Sequence, residues 1–170
     1  MNKSMLLSAI AAATLAISTP ATQAAPLTLD AGWTQFQFGS TAWDDNFTFS
    51  LSSSAYLYVT DAFTSGDMFE VFSSGASLGQ TSLVPDGAGF EIGGDFDAAF
   101  ASADFSSAVF MLGAGVYDIS GTVIQSAAGT SGGGAGIQLV SAPAVPVPAA
   151  GLLLLSAFGG VAALRRRKKA

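Results

Sequence analysis

The 170-residue chain sets six Lys and Arg against twelve Asp and Glu, and it has neither Cys nor His. Without Cys there is no disulfide framework, thiolate metal site or cysteine nucleophile; without His the usual neutral-pH base and the commonest metal ligand are missing. Between Lys3 and Arg165 no cation occurs, so that stretch cannot grip phosphate, and nucleic acid is excluded as a partner.

In chain order, "MNKSMLLSAIAAATLAISTPATQA" reads as a secretory signal peptide over 1–24. Lys3 is the positive start, Met5 to Ile17 the apolar run, and Pro20 its break. Cleavage after Ala24 satisfies the small-residue rule. The apolar run is short for an uncleaved membrane anchor. Loss of this leader leaves Ala25 to Leu164 with all twelve acids and no cation. Nothing there forms a side-chain ion pair. Such acidity keeps a secreted chain soluble, and it attracts divalent cations.

The body, 25–142, reads as all-β. "TQFQF" at 34–38, "NFTFSL" at 46–51, "AYLYVT" at 55–60 and "MFEVF" at 68–72 alternate apolar and polar residues. "AVFML" at 108–112, "VYDISGTVI" at 116–124 and "AGIQLV" at 135–140 complete the stronger strands. Period-two alternation with aromatic and β-branched enrichment is the signature of a half-buried strand. "SGD", "SSG", "PDGAG", "IGGD", "LGAG" and "GTSGGGAG" read as turns between them. "GDFDAAFASADF" departs from this pattern. Phe96, Ala99 and Phe100 fall at helical spacing, and Asp95 is placed to cap a short helix. Many short strands with Gly-rich turns predict a β-sandwich of jelly-roll-like topology, with an unclosed barrel as the rival. Phe47, Phe49, Phe69, Val71, Phe110 and Leu112 are expected to share its core.

Chemistry in this body rests on carboxylates and hydroxyls alone. Ser-His catalysis is impossible, and "GTSGGGAG" lacks the Lys of a phosphate loop. A carboxylate pair for glycoside hydrolysis would have to come from Glu70 and Glu91, which nothing in the sequence links. The expectation is a chain that is not an enzyme, with a carboxylate-dependent hydrolase as the weaker alternative. "WDDN" at 43–46 and "DAFTSGD" at 61–67 put Asp44, Asp45, Asp61 and Asp67 near turns, where calcium takes hard oxygen ligands. An Asp at a turn also closes it by bonding its own backbone. No EF-hand spacing or calcium nonapeptide repeat is present. No other cofactor is expected. Trp33, Trp43, Tyr56, Tyr58 and Tyr117 could form a flat platform for a carbohydrate, or fill the core and sheet faces.

The chain closes on "VPVPAAGLLLLSAFGGVAALRRRKKA". A Pro-rich linker at 143–148 leads into an apolar run from Ala149 to Leu164. As a helix that run would be about 24 Å long, short of the ~30 Å hydrocarbon core. Pro146 and Pro148 keep it from starting earlier. Arg165, Arg166, Arg167, Lys168 and Lys169, within a basic tail at 165–170, hold that end in the cytoplasm and place the body across the membrane.

This order of Pro motif, short apolar segment and basic end resembles the PEP-CTERM sorting signal of exopolysaccharide-producing Gram-negative bacteria. The motif residues are Val145, Pro146, Val147, Pro148 and Ala149. Val147 stands where the common form has an acid, which is closer to the Val-Pro-Leu-Pro-Ala variant. The resemblance implies a precursor anchored in the inner membrane, cut near the motif by an exosortase-type processing enzyme, and released to the cell surface or medium. The stretches 55–82 and 97–123 also resemble a body module of secreted PEP-CTERM proteins, one that adds no catalytic residue. Together these readings predict an exported envelope or extracellular-matrix protein, structural or adhesive and associated with extracellular polysaccharide. The alternative is a carbohydrate- or calcium-binding module.

Overall fold

The computed structural model describes residues 24–86 and 91–143. The leader up to residue 23, the motif at 145–149, the apolar run at 149–164 and the basic end at 165–170 lie outside the described residues. The strands in chain order are β1 (Ala25–Pro26), β2 (Thr34–Phe38), β3 (Phe47–Leu51), β4 (Ala55–Asp61), β5 (Phe63–Thr64) and β6 (Met68–Ser73). Then follow β7 (Ala76–Gln80), β8 (Glu91–Gly93), the helix α1 (Phe96–Ala101), β9 (Ser107–Leu112), β10 (Gly115–Gln125) and β11 (Gly133–Ser141). The body is mostly β with one short helix. All seven segments expected from alternation are strands.

One sheet runs β1-β3-β10-β6-β7, a second β2-β11-β4-β9, and β5 with β8 makes a small ribbon. The pairing is nested. β2 pairs with β11, β3 with β10, β4 with β9 and β6 with β7, all antiparallel. The chain thus runs out and back along itself like one long hairpin. Folding that hairpin over brings β11 beside β4 and β10 beside β6.

Alternation puts one face of each sheet on a common core. Phe36 and Phe38 of β2 point in while Gln35 and Gln37 point out. Leu57 and Val59 of β4, Phe69 and Val71 of β6, Ile119 of β10 and Ile137 and Leu139 of β11 join them. The centre is aromatic. Phe36 lies 4.3 Å from Trp43 and 5.8 Å from Phe47, and Phe38 lies 4.9 Å from Phe69, ring centroid to centroid. Such tilted and edge-on pairs add about 0.5–1.5 kcal/mol each beyond the area they bury.

Four of the six expected core residues are buried: Phe47, Phe69, Val71 and Leu112. Phe49 and Phe110 pack against the core from its margin. Phe49 stacks on Tyr117 at 5.2 Å near the end of its sheet. Phe110 sits on β9, beyond which no strand lies among the described residues.

The helix starts where Asp95 predicts. The Asp95 carboxylate accepts from the Ala98 N–H at 3.0 Å, and Ala99 turns inward. "GTSGGGAG" is a turn only in its first half, because Gly133, Gly134 and Gly136 belong to β11. The absence of side chains is what the packing needs there. A Cβ on Gly134 would press into the Phe63 ring and one on Gly136 into Phe96.

Candidate functional site

Two groupings of chemistry-bearing residues stand out, both on the four-stranded sheet. The first is a carboxylate pair. β4 ends at Asp61, and the chain turns through 62–67 before β6 begins. Asp61 is fully buried and Asp67 nearly so. One Asp61 oxygen, Oδ1, accepts from the Ala62 N–H at 2.8 Å, while Oδ2 accepts from Gly66 and Asp67 N–H, each at 3.2 Å. Asp67 Oδ1 accepts from the Ala127 N–H at 2.9 Å, so the 61–67 turn is tied to the loop between β10 and β11. Gln125 secures the same corner by donating to the carbonyls of Gly66 and Val84. Burial pushes the Asp61 carboxyl up from 3.8 to about 8, with Asp67 adding repulsion against the pull of the three backbone donors. Asp67 is also raised, by burial first and then by Asp86.

These two carboxylates close a turn and clamp a neighbouring loop. Asp44 and Asp45 lie apart in the connection from β2 to β3, where the Asp44 N–H bonds the Gln37 carbonyl at 3.0 Å. Among the described residues no three acidic side chains gather into a cation cage. Glu70 accepts from the Ser77 hydroxyl at 2.7 Å on the five-stranded sheet, and Glu91 stands on the β5–β8 ribbon, so the two do not share a sheet.

The second grouping is aromatic and covers the outer face of the four-stranded sheet. Tyr56 and Tyr58 project outward from β4 with ring centroids 6.4 Å apart. Trp33 meets Tyr58 edge-on at 6.5 Å and lies 5.7 Å from Phe100 and 5.9 Å from Phe96. The helix thus lays Phe96 against Gly136 of β11 and Phe100 against Tyr58 of β4. The Trp33 indole N–H is fixed by Asp97 at 2.8 Å. Of the five aromatics read as either a sugar platform or core and sheet-face filling, Trp33, Tyr56 and Tyr58 are brought together. Trp43 fills the core instead, 6% exposed, because Gly121 leaves room for its indole against β10. Tyr117 belongs to the other sheet and donates its hydroxyl proton to the Gly113 carbonyl.

A third polar cluster has no signal in the sequence. The Ser106 hydroxyl, fully buried, bonds Thr81 and the Ser82 carbonyl and so fastens the start of β9 to the 81–82 segment. Ser and Thr are too frequent here for any one to stand out. Among the described residues no helix is long and apolar enough to cross a membrane. Compared with known proteins, the chain matches no family model, no curated protein and no solved structure.

Proposed function

We propose that this chain is an exported envelope or extracellular-matrix protein, structural or adhesive rather than enzymatic, and associated with exopolysaccharide. A cleaved leader sends it across the inner membrane. The segment 149–164 and the cations at 165–169 hold the precursor there until an exosortase-type enzyme cuts near Val145, Pro146, Val147, Pro148 and Ala149. The observation that carries this reading is the tail itself, with its Pro motif, short apolar run and basic end in order. The fold is compatible with it. The last bonds fastening β11 are from the Ser141 N–H to Asp30 and from the Ala142 N–H to the Ser54 carbonyl. A cut at or beyond Val145 therefore spares every bond among the described residues.

For the body we infer a jelly-roll β-sandwich. The nested pairing of β2 with β11, β3 with β10, β4 with β9 and β6 with β7 supports it. Intact mass of the protein recovered from the cell surface tests the sorting. The expected form begins at Ala25 and lacks Leu152 to Ala170. Full-length, membrane-embedded protein alone, indifferent to Pro146→Ala and Pro148→Ala, overturns it.

A second reading, a carbohydrate-binding module, is favoured by the gathering of Trp33, Tyr56 and Tyr58 on one outward face. With no cation in the body, its ligand would be a neutral polysaccharide.

A further inference from the structure

The two main sheets have four edges, and three of them are blunted. β1 is two residues long and ends on Pro26. β7 carries a register irregularity against β6 and a Gly79 with φ of 132°. Over β2 the following segment folds back, with Trp43 bridging Phe38 and the Asp44 N–H taking the Gln37 carbonyl. These are the devices that keep sheet edges from pairing with other chains.

β9 has none of them. "SAVFML" contains no charge, no Pro and no Gly, and it pairs with β4 over six consecutive positions without a break. Val109 is 48% exposed and Met111 74%. Its backbone polarity follows from one bond. The Ser106 carbonyl accepts from the Asp61 N–H at 2.7 Å and so faces β4. Antiparallel alternation then turns Ser107, Val109 and Met111 outward. Ser82 satisfies Ser107, giving its N–H to the Ser107 carbonyl and taking the Ser107 N–H on its hydroxyl. Among the described residues nothing does the same for Val109 and Met111. Ser82 closes one end of this window, and the chain turns away at Gly113 on the other.

We propose that β9 is a self-association edge, at which two copies of this chain pair their β9 strands antiparallel about a two-fold axis through Phe110. The window admits one register. Val109 of each copy stands opposite Met111 of the other, each pair exchanging two N–H···O bonds, and the two Phe110 residues face each other. The two four-stranded sheets become one of eight strands. The half-buried Phe110 is covered on its open side, and Val109 and Met111 gain cross-strand neighbours on the outer face. A body whose acids all repel a second copy can approach itself only along an uncharged strip, and β9 is such a strip. The contact is small, below the ~1,200 Å² of a transient interface, so association depends on concentration.

The chain's lack of Cys makes the test direct. In the purified full-length chain, Phe110→Cys is expected to form an intermolecular disulfide on mild oxidation, since facing side chains in such a pair lie about 4.5–5.5 Å apart. Val116→Cys, 83% exposed, is the collision control and should cross-link at least ten times more slowly. Sedimentation of the unmodified chain should show a dimer that grows with concentration. Met111→Lys, at an exposed site, should abolish that dimer while circular dichroism stays unchanged. A chain that is monomeric throughout, equal cross-linking at positions 110 and 116, or a dimer that survives Met111→Lys (as one made by the apolar tail would) overturns the proposal.

Discussion

Asp61 works against its own charge. It sits where no solvent reaches, beside a second carboxylate, in a body with no cation to offset either. Three backbone N–H groups hold it there, and they would be orphaned without it. Asp61→Ala should therefore destabilise the chain by about 3 kcal/mol or more, since each unpaired buried donor costs roughly 1–3 kcal/mol. The pH dependence has a definite sign. With a folded-state pKa near 8 against the ordinary 3.8, the native state keeps a proton that the unfolded chain has lost. Stability from this group is complete below about pH 4, falls as pH rises toward 8, and levels off above. Asp67 is shifted in the same direction and adds to the slope. Urea unfolding at pH 5 and pH 8 should find the chain more stable at pH 5, and Asp61→Asn should flatten the difference. Equal stability at the two pH values would mean that water reaches this carboxylate. Nothing in "DAFTSGD" reveals the burial, because an Asp at a turn is ordinarily solvated, and the Ala127 N–H that ties Asp67 to the 126–132 loop comes from far along the chain.

At the scale of the element, side-chain alternation was readable and its absence was not. β2, β3, β4 and β6 show their period plainly, because Phe, Leu, Tyr and Val leave little doubt about which face is dry. β7, "ASLGQ", is held by hydrogen bonds along β6 with Leu78 alone packing against the core, so no alternation marks it. The start of β11 is concealed by the glycines that let Phe63 and Phe96 lie on it. The same packing separates three substitutions. Phe69→Ala, at a fully buried site, should cost about 3–5 kcal/mol. Phe49→Ala, at a margin open to water, should cost clearly less, about 1–2 kcal/mol by its smaller buried area. Gly121→Ala drives a methyl into the Trp43 indole and should cost about 1–3 kcal/mol through overpacking. Thermal midpoints of the three variants should fall in the order Phe49→Ala highest and Phe69→Ala lowest. Inversion of that order would place the core elsewhere.

For the whole molecule, the charge distribution bears on stability. Every cation of the chain sits near one of its ends, outside the described residues, and every acid sits within them. The stretch from Ala25 to Leu164 carries twelve carboxylates and nothing to balance them, so it repels itself. Two terms in its stability then respond differently to solution conditions. Repulsion among exposed acids such as Asp44, Asp86 and Asp118 is screened once the Debye length shrinks to about 10 Å at 0.1 M salt. The penalty on Asp61 comes first from burial, which salt does not reach. Sodium chloride should therefore raise the thermal midpoint at pH 8 while leaving most of the difference between pH 5 and pH 8 in place. Calcium and magnesium chlorides matched in ionic strength separate screening from site binding. With Asp61 and Asp67 engaged by backbone donors, the screening account expects equal midpoints in both. A midpoint raised by calcium alone, and lowered again by Asp44→Ala or Asp45→Ala, would reject it and place a cation in the β2–β3 connection.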